Sequence, residues 1–457
     1  MLDDDKDHGE CIEKNSKKNA KDDKYWRWSD NTLWDYYDWN NNEPSYTQTS
    51  SDMIETVVEM SSFRMNDVPP TREKAAVYKR DTSRNPSTST YTLSQSLGES
   101  ASCVTNNQME LFCMGRAYYG RLGIGIDSSS YMLINVPTFV KFTDHKKVKS
   151  VGMGRYHGCA ILDDGSLECW GHNYYGELGL GINTNQIEPK TTDLGFNKTA
   201  TQISLGHFHT CALLNDNALK CWGLNNHKQL GSGSTQFDEN TPQDVNISPG
   251  RTVKQVACGT SHTCVVLDNG DLTCWGRNSN GQLGDGTNQT SLSPVNVALN
   301  KKVKMVSLGT ESTCVILEDN SLKCWGSNLN GQLGIGTSVD QWSPTDVNID
   351  NNNTIKHIAS TVNGSHRCAI LNDNRLFCWG RNEFGQLGRG NYITAEDPVE
   401  INVSGKLVKQ VSVGISHTCV VLFDESLKCW GSNFSGQLGY MTYGPYNDAS
   451  IVDSLKI

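Results

Sequence analysis

Fourteen of the sixteen cysteines in this 457-residue chain fall into seven pairs of one spacing. The pairs are Cys103/Cys113, Cys159/Cys169, Cys211/Cys221, Cys264/Cys274, Cys314/Cys324, Cys368/Cys378 and Cys419/Cys429. Nine residues separate the partners every time, and a glycine stands two residues after each second cysteine. From unit to unit the second cysteines lie 50 to 56 residues apart. A period in this range marks an array of one supersecondary unit, repeated because a single copy cannot bury its apolar face. It argues against most enzymatic folds.

The cleanest copy runs from Val253 to Thr287 as VKQVACGTSHTCVVLDNGDLTCWGRNSNGQLGDGT. Val253 to Gly259 alternates apolar and polar residues, as a half-buried strand does. Thr263 to Leu267 is β-branched, Asp268-Asn269-Gly270 supplies a tight turn, and Asp271 to Trp275 returns as the partner strand. A glycine-rich loop follows from Asn278 to Gly286, and Pro294 to Leu299 reads as a fourth strand. Four short strands per unit of this length are the pattern of a propeller blade.

The copies superimpose position by position. Five residues before the first cysteine stands Gly98, Gly154, Gly206, Gly259, Gly309 or Gly414, and Asn363 replaces it once. Asn tolerates left-handed backbone best after Gly, so the exchange implies a left-handed position. Two residues before the cysteine stands His157, His209, His262, His366 or His417, with Ala101 and Ser312 as exceptions. The second cysteine is followed by Trp170, Trp222, Trp275, Trp325, Trp379 or Trp430, and by Met114 in the first copy. Gln-Leu-Gly or a near variant then closes the loop at Leu122, Leu178, Leu230, Leu283, Leu333, Leu387 and Leu438.

These residues resemble the repeats of the regulator of chromosome condensation family, whose unit runs Gly-x-x-His, a hairpin, then Trp-Gly-x-Asn-x-x-Gly-Gln-Leu-Gly. The resemblance covers residues 91 to 457 in all seven units and implies an all-β, seven-bladed propeller of four-stranded blades. The first copy departs most, with Ala101, Met114 and Ala117 in place of His, Trp and Asn. Ser450 to Ile457 reads as a strand that completes the last blade.

Cys264 and Cys274 are equidistant from the turn, so they face each other across the hairpin. Directly opposed residues have Cα atoms about 4.5–5.5 Å apart, within reach of a disulfide. Seven such staples inside the blades leave ring closure to strand pairing. Buried free thiols are the alternative. Zinc held by His-x-Cys and Cys is a weaker one, because two copies lack the His and the hairpin offers no fourth ligand. Disulfides imply a secreted, luminal or cell-surface protein, whereas reduced pairs imply the cytoplasm. Met1 to Asp7 is acidic and no apolar signal-peptide core follows. Either the chain starts after a leader or the pairs sit reduced inside a cell. No stretch has the apolar length of a membrane span. Seven Asn-x-Ser/Thr sequons (Asn197, Asn246, Asn288, Asn352, Asn363, Asn402, Asn433) match the number that so Asn-rich a composition supplies by chance, and decide nothing. Cys11 and Cys258 have no partner by spacing. Cys258 lies in a strand and reads as core.

Residues 1–90 differ in composition and read as a largely irregular extension. Mixed charge from Asp3 to Lys24 precedes an aromatic patch containing Trp26, Trp28, Trp34 and Trp39. Met53 to Met65 reads as a short helix or strand, and Asn66 to Thr90 as a polar linker. The four tryptophans either pack on the propeller's flank or bore or form a linear motif that anchors a partner, with a sugar-binding platform as a weaker third reading.

No catalytic set, cofactor loop or metal-ligand spacing emerges. The five repeated histidines share one slot and read as satisfying turn backbone. The family resemblance implies nucleotide exchange on a small GTPase with chromatin docking. A net charge of −10 disfavours nucleic acid, and the even spacing leaves no room for the inserted wedge that exchange in this family uses. The plant ultraviolet-receptor branch carries Gly-Trp-Arg-His, which these repeats lack. What remains is a non-enzymatic, monomeric scaffold for another protein. Its candidate surface lies in the loop after Trp-Gly, where Tyr118, Tyr119, Tyr174, Tyr175, Phe384 and Phe434 form an aromatic arc over blades 6, 7, 1 and 2, with blades 3 to 5 polar. The competing reading has these rings packing within the blades.

Overall fold

Each repeat folds as a four-stranded antiparallel meander, because its strands are short and its turns are tight. In blade 4 the strands are Val253–Cys258, His262–Leu267, Leu272–Gly276 and Ser291–Asn296, paired in that order. The computed structural model describes residues 97–449 apart from 99, 127–131, 248, 351–353 and 441–443. It also gives the backbone of four short strands at Ile12–Lys14, Tyr25–Arg27, Leu33–Trp34 and Tyr91–Thr92. The chain divides into two compact units, Met1–Thr88 and Ser89–Ile457. In the first, the three strands pair antiparallel, with Trp26 opposite Trp34. Their side chains, with Trp28, Trp39, Cys11 and the segment Met53 to Met65, lie outside the described residues.

The second unit is a seven-bladed propeller, as the repeat count requires. The second strand of blades 2 to 7 is buried at every position, whereas the fourth strands are mostly half-buried or exposed. The cause is layering. Each blade's middle strands are covered on both faces by neighbouring blades, and the last strand forms the rim. This rim position explains why the fourth strand of blade 4 begins three residues earlier than expected and carries Pro294, since an edge strand has a side whose N–H groups need no partner. Blade 7 has three strands plus a pairing of Gly431 with Tyr446. Ser450 to Ile457, expected to fill that place, lies outside the described residues.

All seven cysteine pairs are disulfides: Cys103–Cys113, Cys159–Cys169, Cys211–Cys221, Cys264–Cys274, Cys314–Cys324, Cys368–Cys378 and Cys419–Cys429. In every blade the first cysteine stands on the second strand and its partner on the third, directly opposite. The geometry departs from expectation in one respect. The Cα atoms lie 4.0–4.2 Å apart, closer than the about 4.5–5.5 Å of an opposed pair without a covalent link. All fourteen cysteines are fully buried.

Between blades the same contact recurs. The Thr before the first cysteine and the Trp after the second are cross-strand neighbours, as Thr263 opposes Trp275. Both donate to one carbonyl of the preceding blade, that of Gln229, at 2.8 Å from Thr263 Oγ1 and 2.9 Å from Trp275 Nε1. His209, also in the preceding blade, places Nε2 3.1 Å from the same hydroxyl. Equivalent sets join His157, Thr210, Glu177 and Trp222; His262, Thr313, Gln282 and Trp325; and His366, Thr418, Gln386 and Trp430. The hydroxyl has one proton and gives it to the carbonyl, so the imidazole must donate through Nε2–H. Burial holds these five histidines, His417 included, well below the usual imidazole pKa, at about 3. They are neutral bridges between blades and do not satisfy turn backbone as expected.

Two glycines of the repeat make room for this contact. The Gly of Gln-Leu-Gly seats the next blade's tryptophan, and a Cβ on Gly231 would lie 2.5 Å from Trp275 Nε1. The Gly five residues before the cysteine is not left-handed, contrary to expectation. It is small because the histidine lies against it, and a Cβ on Gly206 would meet His209 Cε1 at 2.1 Å. Asn363 is no exception to this rule. In blade 6, Cys368 pairs with Ala359, nine positions back, where Cys159 pairs with Gly152, seven back. The two extra residues push Thr361 to Gly364 into the axis of the ring. There Thr361 Oγ1 donates to Leu97 O at 3.2 Å, Thr310 Oγ1 to Gly364 O at 3.0 Å, and Thr260 Oγ1 to Val362 O.

The exceptions in the repeat are matched across blade boundaries. Blade 5 has Ser312 in place of His, and blade 6 has Arg367 in place of Thr. Arg367 Nη2 donates to Ser312 Oγ at 2.7 Å, occupying the space beside Gly309 that a histidine ring fills elsewhere. Blade 1 has Ala101 without a ring, and blade 2 has Gly158 without a hydroxyl, where Met153 and Trp170 fill the gap. The ring closes in the same way. Ser102 of blade 1 donates to Gln437 O of blade 7 at 2.6 Å and stands 2.8 Å from His417 Nε2. Blades 7 and 1 also share an apolar cluster of Leu97, Val104, Met114, Val421 and Leu438.

Two outcomes follow. Ser312→His and Arg367→Thr should each destabilise by about 1–3 kcal/mol, while the double variant recovers most of the loss. Denaturant midpoints should give a coupling of at least about 1 kcal/mol, and simple additivity would contradict the matched pair. The five buried histidines have folded pKa values below the ordinary 6.5, so the unfolded chain binds more protons as pH falls. Their contribution is complete above about pH 6.5 and is lost on the way down towards 3. Between pH 6 and 5, stability should fall with a slope of about five protons or more taken up on unfolding, because His207, His227 and His357 are also held below the ordinary value, and urea titrations at stepped pH read that slope.

Candidate interaction surface

In an antiparallel meander the one–two and three–four connections share one end of the blade, and the two–three and four–one connections share the other. The Trp-Gly-x-Asn-x-x-Gly-Gln-Leu-Gly loop is a three–four connection. Its buried Asn sets the shape. Asn278 Oδ1 accepts from Leu283 N at 2.9 Å and its Nδ2 donates to Thr287 O at 3.1 Å, while Gln282 Oε1 accepts from Asn280 N at 2.9 Å. Asn173, Asn225, Asn328, Asn382 and Asn433 make the equivalent bond to the leucine nitrogen. With the loop so pinned, the two residues before the Gly sit at the surface.

On blades 1 to 3 these loops gather aromatic rings. Tyr118 and Tyr119 lie 3.7 Å apart between centroids with their hydroxyls 2.9 Å apart. The hydrogen bond from Tyr118, with burial, raises the Tyr119 phenol above its ordinary value. Tyr119 touches Tyr156 edge-on at 5.7 Å and His172 at 4.8 Å. Phe208 continues the chain, 6.0 Å from Tyr156, 5.5 Å from His172 and 5.1 Å from Tyr175. Tyr175 meets Tyr174 at 5.7 Å and Phe237 at 6.2 Å. Tyr174 is 70% exposed.

Two arginines are built into the cluster. Arg121 and Arg155 hold their guanidinium carbons 4.6 and 4.8 Å from the Tyr156 centroid, a range in which ring and cation attract. Burial, and then the Arg155 charge, push His207 down to about 3. The neutral ring accepts from Arg155 Nη1 at 2.7 Å and stacks on Phe208 at 4.1 Å. Beneath the rings, Glu177 replaces the loop glutamine. It holds His172 Nδ1 at 2.6 Å and accepts from Tyr175 N at 2.9 Å, both oxygens committed to the loop.

The expected arc is therefore assembled only in part. Tyr118, Tyr119, Tyr174 and Tyr175 come together. Phe384 and Phe434 form a pair of their own on blades 6 and 7, 6.2 Å apart, with Phe434 56% exposed. Blade 3, expected to be polar, contributes Phe208 from its one–two connection and Phe237 from the far end of its three–four connection, directly before the strand Asp238–Asp244. Sequence reasoning missed these two with Tyr156, His172 and His207, because it compared one loop. The signal was an aromatic residue two places after the repeat Gly154 and Gly206. The bonded cysteines stand apart from this surface. Cys113, Cys169, Cys324, Cys378 and Cys429, like the other nine, lie fully buried inside their blades and present nothing to a partner.

Among the described residues one group has metal-ligand proximity, namely His209, Cys211 and Cys258. Cys211 is bonded to Cys221 and offers no thiolate. Cys258 is buried with its thiol pushed up to about 12, first by burial, and its Sγ lies 3.3 Å from Ser204 O. It is inert core. No helix of the described residues is long and apolar enough to cross a membrane.

The RCC1-like domain model matches residues 194–454, more than half of the chain, and the regulator of chromosome condensation (RCC1) repeat model matches 110–161 and 164–213. Arabidopsis thaliana Ultraviolet-B receptor UVR8 is 31% identical over 350 residues, covering 76% of this chain and 67% of that protein. Human E3 ubiquitin-protein ligase HERC2 is 29% identical over 352 residues, which make up 6% of it. The propeller superimposes on Prp20p from Saccharomyces cerevisiae with a TM-score of 0.67 at 20% identity, covering 80% and 88% of the two chains. For human WBSCR16 the TM-score is 0.66 at 19% identity, covering 76% and 95%. Repeat, blade count and matches agree: the chain belongs to the RCC1 repeat family.

Proposed function

We propose that this chain is a non-enzymatic protein-binding propeller of an oxidising compartment, secreted or displayed at a cell surface, whose partner docks on the aromatic and arginine cluster of blades 1 to 3. The observation that carries the reading is that cluster. Tyrosine and arginine are the residue types that dominate binding hot spots, and here they are held rigid by loops whose polar groups are already satisfied. Phe384 and Phe434 extend the same end of the ring on blades 6 and 7. The compartment rests on fourteen cysteines placed for intra-blade disulfides, a pattern suited to places where thiols are oxidised. The relatives support protein binding in general: a receptor, ubiquitin ligases, and Prp20p, whose binding to Gsp1p and histones is described with its structure. Regulation of a small GTPase is the rival reading, favoured by family membership, and nucleotide release across a GTPase panel separates the two.

The test is affinity capture with comparison of variants. Tyr174→Ala combined with Phe237→Ala should weaken retention of at least one captured protein about tenfold or more, equivalent to about 1.4 kcal/mol. Leu329→Ala, an exposed position on blade 5, should leave that protein bound. Equal retention by both variants would remove the proposed surface. A thiol count on the denatured, unreduced protein should find two free thiols, and sixteen would remove the proposed compartment.

A further inference from the structure

The seven sequons are equivalent as sequence but not in structure. Asn433 is the loop-setting Asn of blade 7, fully buried, with Oδ1 accepting from Leu438 N at 2.9 Å. Its sequon is a by-product of the repeat. Asn363 sits in the segment that enters the ring axis, and its Nδ2 is buried. Asn352 lies outside the described residues.

Asn197, Asn246 and Asn402 are different. All three are exposed, and all three lie in connections from the fourth strand of one blade to the first strand of the next. Asn197 precedes the strand Ala200–Leu205, Asn246 precedes Val253–Cys258, and Asn402 precedes Val408–Val413. The distances to the following strand are 3, 7 and 6 positions, so the three do not descend from one position of the repeat. Asn197 has a φ of +57°, on a turn that faces outward. Asn402 uses Oδ1 to accept from Gly405 N at 2.7 Å, an arrangement that leaves its Nδ2 to solvent.

These connections share an end of the blades with the two–three hairpin turns. Asn215 of the blade 3 hairpin reaches the backbone of Asn197, with Nδ2 donating to its carbonyl at 3.3 Å. The aromatic cluster occupies the opposite end. Asn288 is exposed too, in the three–four connection of blade 4, away from Tyr118, Tyr156 and Tyr174 on blades 1 and 2.

We infer that Asn197, Asn246 and Asn402 are N-glycosylation sites, and that their sugars clothe the hairpin end of the propeller while leaving the aromatic end of blades 1 and 2 bare. The inference rests on the oxidising-compartment reading, since that is where such transfer takes place. The donor is a lipid-diphosphate-linked oligosaccharide. The bond from sugar C1 to the diphosphate oxygen breaks, its electron pair leaves with the diphosphate, C1 bonds to Asn Nδ2, and one amide proton is released. A hydrophilic coat on one end and exposed rings on the other would orient partner binding to a single face.

The test uses the protein isolated from its own source. Treatment with peptide-N-glycosidase in heavy-oxygen water converts each glycosylated Asn to labelled Asp, and peptide mass spectrometry reads the positions. The expected result is label at Asn197, Asn246 and Asn402 and none at Asn363 or Asn433, with intact mass falling by one oligosaccharide per labelled site. Sugar missing from two or more of the three hairpin-end asparagines, or present at Asn363 or Asn433, would overturn the inference. A thiol count on the same sample separates the failures. Two free thiols without sugar remove the inference alone, and sixteen remove the compartment reading with it.

Discussion

The propeller depends on one carbonyl oxygen per blade boundary, that of the residue before Leu-Gly in the closing loop. Backbone hydrogen bonds cross the boundaries near the surface, as Gly286 N donates to Trp342 O at 3.0 Å and Val303 N to Gly270 O at 2.8 Å, and side chains make the buried contact between them. At that oxygen a hydroxyl and an indole of the next blade converge, and a histidine of the same blade fixes the hydroxyl from behind. The groups are fully buried, where an unmade hydrogen bond costs about 1–3 kcal/mol. The disulfide is one rung of the ladder from this contact. By tying Cys264 to Cys274 it also ties the adjoining Thr263 to Trp275, the two donors that must arrive together. Stability within the blade and between blades is thus linked through one hairpin.

This linkage explains why substitutions travel in pairs. A histidine without a hydroxyl opposite it would leave a buried N–H unsatisfied. Accordingly, where blade 6 has Arg367 blade 5 has Ser312, and where blade 2 has Gly158 blade 1 has Ala101. Seen within one repeat, Ser312 and Ala101 look like decay. Seen across a boundary, each is half of an alternative solution to the same polar accounting.

The fold is legible in the sequence because its determinants are local and repeated. Cysteine spacing, the Asp-Asn-Gly turn and the Trp-Gly-x-Asn loop each act within a dozen residues, and all seven bonds from Cys103–Cys113 to Cys419–Cys429 follow from that spacing. What lies between blades is not legible. Sequence reasoning puts the repeated histidines in turns and makes the glycine before them left-handed, because their partners sit about fifty residues away in the next copy. The candidate surface shows the same division. Tyr118, Tyr119, Tyr174 and Tyr175 hold one position in the loop, whereas Phe208 and Tyr156 reach the cluster from one–two connections and Phe237 from the far end of the three–four connection, which only the ring brings together. The axis segment Thr361 to Gly364 is hidden by a two-residue insertion that the cysteine spacing does not register.

The protonation state of the bridging histidines tests the account most directly, since the hydroxyl can serve the carbonyl only if the imidazole donates. Nitrogen-15 NMR of histidine-labelled protein at pH 5 should show five rings, His157, His209, His262, His366 and His417, neutral with the proton on Nε2. Imidazolium signals from these rings, or protons on Nδ1, would contradict it.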